Sequence, residues 1–264
     1  MSSDHDHCQG DEIMNRDFPP RFTRTVDLYG EEGFARLRQR GAVVVGLGGV
    51  GAHTVVALAR SGIGRLKLID FDRITVSSLN RHPVAGPADV GRLKTEVLAA
   101  WVHSICPDTI VEAVAAHVSC DTVHELVPLD ERELFPVLVD CIDKLEDKAD
   151  LLAHGVRHGW RTLASLGAAG KIDPGELRSG DLFDSRVCRL ARVLRRKLRD
   201  REVGPGQVQA VWSLEAPVPP LEGAPGEGLP DEPDVQRRQP SNIMLPGMVG
   251  FALAAEATRM LTEG

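Results

Sequence analysis

Glycines near residue 50 have the spacing of a phosphate-binding turn. Gly46, Gly48 and Gly51 form a G-x-G-x-x-G motif, with Gly49 inside it, between a β-branched run and a stretch typical of a helix. There, backbone N–H groups and the positive end of the helix can receive a phosphate group. Asp70 ends the next predicted strand, where a carboxylate can accept hydrogen bonds from ribose hydroxyls. The pattern predicts a nucleotide site that suits NAD as well as ATP, and the alternative is a tight turn without a ligand.

The polar residues that follow favour ATP. Asp72, Asn80 and Arg81 lie in "DFDRITVSSLNRH", and Lys94 in "VGRLK" begins a predicted helix. N–H groups suffice to hold a dinucleotide, whereas attack at the α-phosphorus of ATP builds negative charge on the leaving pyrophosphate. Arg81 and Lys94 would stabilise that charge. Taken singly, each of these cations is also typical of a solvated surface.

A third candidate catalytic residue, Asp143, follows the apolar run at residues 137–140. Functional groups of parallel-sheet proteins lie at the carboxyl ends of the strands. A carboxylate at this place is suited to hold Mg²⁺ together with the phosphates of a nucleotide. Its alternative role is to cap the helix that follows.

These side chains require a parallel sheet to bring them to one edge. Apolar strand-like runs alternate with helix-like stretches, which predicts an α/β, Rossmann-like fold: a mostly parallel sheet with helices on both faces, extended by a C-terminal strand and helix region. The predicted strands are 43–45, 66–70, 110–114, 137–140 and 161–166, and the predicted helices are 52–61, 91–105, 120–126 and 145–159.

Composition limits the classes of protein. The 264 residues are 42% hydrophobic with a formal net charge of −7, which indicates a globular protein and argues against a generic nucleic-acid binder. The five cysteines form no C-x-x-C pair, so no zinc site is predicted. We find no signal peptide and no membrane segment, and we expect a cytoplasmic protein.

Several longer segments resemble the ubiquitin-activating-type adenylyltransferases, the ThiF-like enzymes that activate carboxylates with ATP. The resemblance is carried by "RFTRTVDLYG", "VVVGLGGVGAHTVVALARSGIG", "LIDFDRITVSSLNRH", "VGRLK" and "VDCIDKLEDK". Three more segments, "SLGAAGKIDPGELRSGDL", "ARVLRRKLR" and "VQAVWSLEAP", are similar to one branch, the tRNA threonylcarbamoyladenosine dehydratases. That branch implies adenylylation of the side-chain carboxylate of threonylcarbamoyladenosine, beside the tRNA anticodon, followed by ring closure with loss of AMP.

The resemblance also implies roles for single residues. It assigns Asp70 to the ribose and Asp143 to Mg²⁺. It implies that Arg21 and Arg24 reach the ATP site of a second subunit, which predicts a homodimer. The phosphates would be held by the glycine turn (Gly46, Gly48, Gly49 and Gly51) with Asn80, Arg81 and Lys94, and Asp72 would complete the nucleotide site.

Two positions depart from the family pattern. Ser78 replaces an Asn that is common in relatives, and Ala210 replaces a Cys found in some members. Activators of ubiquitin-like proteins pass the acyl group to sulfur, and their small bacterial members usually carry two C-x-x-C pairs for structural zinc. This chain has neither pair, which favours the dehydratase branch, where intramolecular cyclisation needs no relay thiol. Activation of a ubiquitin-like or sulfur-carrier protein, and an ATP-binding scaffold without catalysis, remain alternatives. Whether a sulfur-transfer partner docks on the protein also stays open.

The segment 186–201 predicts an amphipathic helix with a basic outer face, either simply solvated or in contact with tRNA phosphates. Its candidate tRNA-binding residues are Arg192, Arg195, Arg196, Lys197 and Arg199. We expect a disordered tail at 1–20 and a single domain at 21–264. Within that domain we expect a basic helix and strand region at 170–214 and a flexible loop at 215–241.

Overall fold

A mostly parallel sheet forms the centre of the molecule. The computed structural model describes residues 18–221 and 239–263. Its strands are β1 (Gly41–Val45), β2 (Arg65–Ile69), β3 (Ile110–Val114), β4 (Val137–Asp140), β5 (Arg161–Ser165), β6 (Leu177–Asp181) and β7 (Val208–Ser213). The described residues form one seven-stranded sheet in the order β3-β2-β1-β4-β5-β7-β6. All neighbouring strands are parallel except β6 and β7, which confirms the predicted α/β fold.

Helices cover both faces of this sheet, as predicted. They are α1 (Thr23–Gln39), α2 (Gly49–Ser61), α3 (Lys94–Ile105), α4 (Val123–Leu126), α5 (Leu145–Arg157), α6 (Arg189–Arg199) and α7 (Met244–Thr262). Val44 of β1 belongs to the core beneath α1, α2, α3 and α7. Its neighbours Val43 and Val45 point to the opposite face and pack with residues of α4 and α5, because side chains alternate along a strand. Helix α6 packs against α5, β5 and β7 in a third cluster.

Several elements differ from the sequence prediction, and helix α1 was not predicted at all. Strand β6 was missed, because it is a half-exposed edge strand without an apolar run. Helix α6 begins at Arg189 rather than at residue 186, since Val187 takes a left-handed conformation with φ of 64°. Helix α3 begins at Lys94 rather than at Gly91, whose φ of 89° is not helical.

The two segments predicted to lack structure lie partly outside the described residues. Residues 1–17 and 222–238 are outside them. The tail predicted to end at residue 20 reaches a packed position earlier, because the ring of Phe18 lies edge to face against Phe34 at 5.1 Å. Both described ends of the predicted 215–241 loop bind Gly170. Its N–H donates to the carbonyl of Pro240 and its carbonyl accepts from the N–H of Val218, each at 2.6 Å. Within residues 18–221 and 239–263, the helices are too short or too polar to span a membrane.

Candidate nucleotide-binding site

The glycine turn leaves open space at the start of α2. Gly46 has a φ of 86° and donates its N–H to the carbonyl of Ile69 at 2.9 Å. A Cβ on Gly51 would lie 1.9 Å from the carbonyl oxygen of Gly46, so only glycine allows this close approach. A Cβ on Gly48 would meet no atom of the described chain within 4 Å. The helix N-terminus therefore offers N–H groups to an open volume suited to a phosphate.

Asp70 ties the end of β2 to this turn. It is 7% exposed, and its carboxylate accepts the N–H of Leu47 at 2.5 Å and the N–H of Asp72 at 2.7 Å. Burial raises the pKa of Asp70, while Lys94 and the two N–H donors act in the opposite direction. The carboxylate thus lies where the ribose of a nucleotide bound at the turn would follow.

Lys94 lies between the two aspartates. Its ammonium group is 2.5 Å from Asp72 Oδ2 and 3.7 Å from Asp70 Oδ2. The chain path explains this contact: Ile74 exchanges backbone hydrogen bonds with Arg92 and Gly91, each 2.8 Å, which brings the start of α3 back beside Asp72. Lys94 is 9% exposed. Residues separated by 24 positions therefore form one nearly buried charge cluster.

The departure at Ser78 has a structural explanation. Residues Val76–Asn80 form a short 3₁₀ helix that begins with a capping box. The hydroxyl of Thr75 accepts the N–H of Ser78 at 3.2 Å, and the hydroxyl of Ser78 accepts the N–H of Thr75 at 3.3 Å. Ser78 is 8% exposed. Its hydroxyl stabilises the turn that presents the next two residues.

Of those residues, Arg81 reaches the glycine turn and Asn80 binds the Arg81 side chain. Arg81 donates to the carbonyl of Ser77 at 2.7 Å and to Asn80 Oδ1 at 3.1 Å. A Cβ on Gly49 would lie 3.2 Å from Cγ of Arg81, so the aliphatic part of this side chain covers the start of α2. Asn80 also donates to the carbonyl of Ser241 at 3.0 Å. The structure thus brings Arg81 to the N-terminus of α2, with Asn80 bound to it.

Asp143 is exposed beyond the end of β4. The N-cap of α5 is Lys144, so the alternative in which Asp143 caps that helix is not observed. Sequence reasoning missed the group beneath it: Asp140 and Lys148 are fully buried with 2.5 Å between their charged atoms. Lys148 also donates to the carbonyl of Ile142 at 2.8 Å, and this holds the turn that carries Asp143. The signal in the sequence that could have revealed this pair was the lysine among the apolar positions of α5.

Arg21 and Arg24 lie away from this cluster. Arg21 forms an ion pair with Asp108, in the turn before β3 at the opposite edge of the sheet, and its guanidinium lies 4.7 Å from the ring centre of Phe22. Arg24 is exposed on α1. Neither arginine contributes to the nucleotide site of its own chain.

The five predicted tRNA-binding residues of α6 fall into two groups, those bound within the chain and those left exposed. Arg195 donates to the carbonyl and hydroxyl of Ser185 at 2.7 and 2.6 Å. Lys197 forms an ion pair with Glu146 of α5. Arg199 lies over the ring of Phe183 at 5.2 Å, and Arg192 and Arg196 are exposed. Two of the five cations are therefore already bound within the chain.

Cys141 and Cys188 do not resemble nucleophiles. Burial raises the pKa of Cys141 to about 12, so this thiol is protonated at neutral pH. Cys188 is buried at the N-cap of α6, where its sulfur accepts the N–H of Ala191 at 3.4 Å. Ala210 is buried in β7 opposite Ala164 and Gly180. The site has no relay thiol among these positions.

A Rossmann-like sheet with a glycine turn, a ribose-level aspartate and converging cations is the arrangement of a nucleotide-binding adenylyltransferase. The model of the ThiF family matches residues 22–175, and the chain belongs to this family. It is 38% identical over 201 residues to tRNA threonylcarbamoyladenosine dehydratase 2 of Saccharomyces cerevisiae, covering 74% of this chain and 43% of the relative. The chain thus spans less than half the length of that yeast relative.

Bacterial relatives match in length more closely. The tRNA threonylcarbamoyladenosine dehydratase of Haemophilus influenzae is 35% identical over 68% of this chain and 69% of its own length. The crystal structure of the Escherichia coli tRNA N6-threonylcarbamoyladenosine dehydratase TcdA in complex with ATP superposes with a TM-score of 0.80. It is 31% identical, and the match covers 92% of this chain and 94% of that chain.

Proposed function

We propose that the chain is an ATP-dependent tRNA threonylcarbamoyladenosine dehydratase. The threonine carboxylate of the modified adenosine attacks the α-phosphorus of ATP and pyrophosphate leaves. A nucleophile of the same side chain then closes the ring on the activated carbonyl and AMP leaves, so that the nucleoside loses one water overall. The supporting observation is the convergence of Arg81, Lys94 and the open glycine turn beside Asp70, together with the likeness to TcdA.

The chain's residues divide this work between binding and charge stabilisation. The N–H groups at the start of α2 bind phosphate oxygens, and Asp70 binds the ribose. Arg81 and Lys94 stabilise the charge that develops on pyrophosphate. Holding the activated carbonyl and its nucleophile in one side chain supplies the proximity that other activators obtain from a second protein.

Mg²⁺ fits Asp143. Across the described residues, no group of three or more His, Cys, Asp or Glu side chains could hold a metal by itself. Mg²⁺ bound through one carboxylate, nucleotide phosphates and water needs no such group. When bound, the ion neutralises phosphate charge, and the buried Asp140–Lys148 pair orients the turn that carries its ligand.

We further propose a cytoplasmic homodimer in which Arg21 and Arg24 serve the partner's site. In this chain they lie far from the nucleotide cluster, on α1 and the short helix before it. Helix α6 contributes tRNA phosphate contacts through the exposed Arg192, Arg196 and Arg199. Phosphate contact by exposed arginines accounts for tRNA binding by a chain with a net charge of −7.

Mass spectrometry of nucleosides tests the reaction directly. Threonylcarbamoyl-modified tRNA is incubated with the protein, ATP and Mg²⁺, then digested without amine buffers that reopen the product ring. We expect loss of one water per modified nucleoside with stoichiometric AMP, and about 100- to 1,000-fold slower formation of both products with Arg81→Ala. An unchanged nucleoside alongside normal ATP binding would contradict the proposal and favour a carrier protein as the activated carboxylate.

A further inference from the structure

Exposed arginines of α6 form one continuous stripe on the surface of the molecule. Arg189, Arg192, Arg196 and Arg199 are exposed and follow one another at intervals of three, four and three residues. Residues at these intervals lie on one face of a helix. Residues 185–199 contain no acid, and within residues 18–221 and 239–263 no carboxylate pairs with any arginine of the stripe. Its charge is therefore available to a ligand.

The stripe runs from one edge of the sheet to the other. Helix α6 begins beside the end of β5, because a Cβ on Gly167 would lie 3.6 Å from Sγ of Cys188, the N-cap of α6. It ends beside the residues that follow β6, where Arg199 lies over the ring of Phe183 at 5.2 Å. Strand β6 is antiparallel to β7 and ends at the amino edge of the parallel strands. Arg189 therefore lies at the carboxyl edge of the sheet and Arg199 at the amino edge, about 15 Å along the helix at 1.5 Å per residue.

Ion pairs between α5 and α6 agree with this direction. Lys197 pairs with Glu146, and one turn later in both helices Arg201 pairs with Asp150. The two helices are therefore parallel, and α5 begins just after β4 ends, at the carboxyl edge. The glycine turn follows β1 at the same edge, and β5 lies two strands from β1, about 10 Å at about 4.8 Å between neighbouring strands. The stripe thus begins at the edge that carries the nucleotide site.

The stripe offers charge to a ligand but no apolar contact. Ala191, Leu194 and Leu198 are buried against α5, β5 and β7. The apolar side of α6 is therefore not available to insert into a lipid surface, as an interfacial membrane helix does. Guanidinium groups bind phosphate oxygens through two parallel hydrogen bonds. A row of arginines over about 15 Å of helix fits successive phosphates of a nucleic-acid strand.

We propose that the stripe binds the backbone of the anticodon stem and sets its direction, with the loop at Arg189 and the stem continuing towards Arg199. This inference rests on the tRNA substrate proposed above. Duplex RNA is recognised through its shape and phosphates rather than its sequence, which suits a surface made of arginines. Binding along the stripe holds the loop, with its modified adenosine, at the edge of the sheet that carries the nucleotide site.

Arg60 offers a matched control for the far end of the stripe. It is exposed in the last turn of α2, and its guanidinium lies 5.5 Å from the ring centre of Trp101, much as Arg199 lies over Phe183. Helix α2 covers the face of the sheet opposite to α5 and α6. Arg60→Ala therefore removes the same charge and the same kind of ring contact as Arg199→Ala, away from the stripe.

The experiment measures the Kd of the full chain for a threonylcarbamoyl-modified anticodon stem-loop with its complete stem, and for the same RNA without the base pairs farthest from the loop. Arg199→Ala should weaken binding of the complete stem-loop about three- to fivefold at low salt, because one phosphate contact is lost. It should leave binding of the shortened stem-loop unchanged. Arg189→Ala should weaken binding of both RNAs by the same factor. Arg60→Ala should bind both like the unchanged chain.

The pattern across the two RNAs decides the inference. Equal weakening of both RNAs by Arg199→Ala would overturn it, because the stripe would then act only through its total charge. A complete stem-loop that binds Arg199→Ala like the unchanged chain, or that loses as much affinity with Arg60→Ala, would also overturn it. An effect of Arg189→Ala confined to the complete stem-loop would contradict the direction.

The proposed function fails in a different way. If the unchanged chain bound neither RNA, the tRNA substrate would be refuted, and with it the role of the stripe. If it bound the RNAs with the expected pattern but did not dehydrate the modified nucleoside, only the proposed reaction would be refuted.

Discussion

Two groups of charged residues use their charges in opposite ways: the nucleotide cluster, which comprises Asp70, Asp72, Arg81 and Lys94, and helix α6. In the cluster, Lys94 is nearly buried and its position is determined by backbone pairing between residues 74 and 91–92. In α6, the cations project from a regular helix, and neighbours decide what each one does. Lys197 is bound to Glu146, while Arg192 is exposed. A buried charge cluster therefore identifies a ligand site more specifically than a run of surface charges.

The largest expected effect belongs to Arg81 in the cluster. Arg81→Ala should lower the rate of AMP formation about 100- to 1,000-fold, because a preorganised cation facing the leaving group is lost. Thermal unfolding should change little, since the side chain lies over the turn rather than in the core. Arg60→Ala, at the far end of α2, is the control and should retain full activity. Normal turnover of Arg81→Ala would remove this residue from the site.

The glycine turn allows a second test, which asks whether the backbone conformation of the turn determines the shape of the nucleotide site. Gly51→Ala should lower the free energy of unfolding by about 3 kcal/mol, because its Cβ would overlap the carbonyl oxygen of Gly46. Gly48→Ala has room and an extended backbone, so its stability should match the unchanged chain. Its methyl group should nevertheless weaken ATP binding, which calorimetry measures. If both variants were equally stable, close packing at Gly51 would not define the turn.

The buried cluster should also respond to pH through His82. This residue is 4% exposed and accepts the N–H of Ala85 at Nδ1. Burial, Lys94, His53 and Arg81 outweigh Asp89 and lower the pKa of His82 from 6.5 to about 4. Between these values the unfolded chain binds more protons, so stability present above pH 6.5 is lost as the pH falls towards 4.

Urea unfolding at pH 7 and pH 5 measures this loss. The unchanged chain should lose about 2 kcal/mol more than His82→Gln over that interval. Glutamine retains an acceptor for the N–H of Ala85 and does not titrate. Equal pH dependence of the two proteins would show that His82 is not held neutral by the cluster.

The smallest effects are expected for substitutions in α6. They distinguish its exposed cations from the cation that is already paired. Arg192→Ala with Arg196→Ala should weaken tRNA binding about three- to tenfold at low salt and reduce the salt slope by about one for each phosphate contact. Lys197→Ala should leave tRNA binding nearly unchanged, because its charge is already paired with Glu146. Equal losses would mean that the helix acts through its total charge and that the division is wrong.

Much of the fold was predictable because its signals are local. Alternation of apolar runs identified β1 to β5 and the helices between them, and the glycine spacing identified the turn that begins α2. Strand β6 was missed because an edge strand with one exposed face carries no apolar run. The start of α6 was misplaced because the backbone of Val187 turns left-handed, which a β-branched residue does not signal.

The sequence by itself determined the class of fold and the glycine turn and indicated the residue types of the candidate nucleotide site, since these depend on short-range spacing and on the conformational needs of glycine. Only the tertiary structure decided which side chains contact each other. The order of strands in the sheet brings Lys148 beneath the turn of Asp143, His117 and Lys144 to Phe71, and Glu146 to Lys197. That order places distant segments side by side, and no local pattern records which charges will meet there.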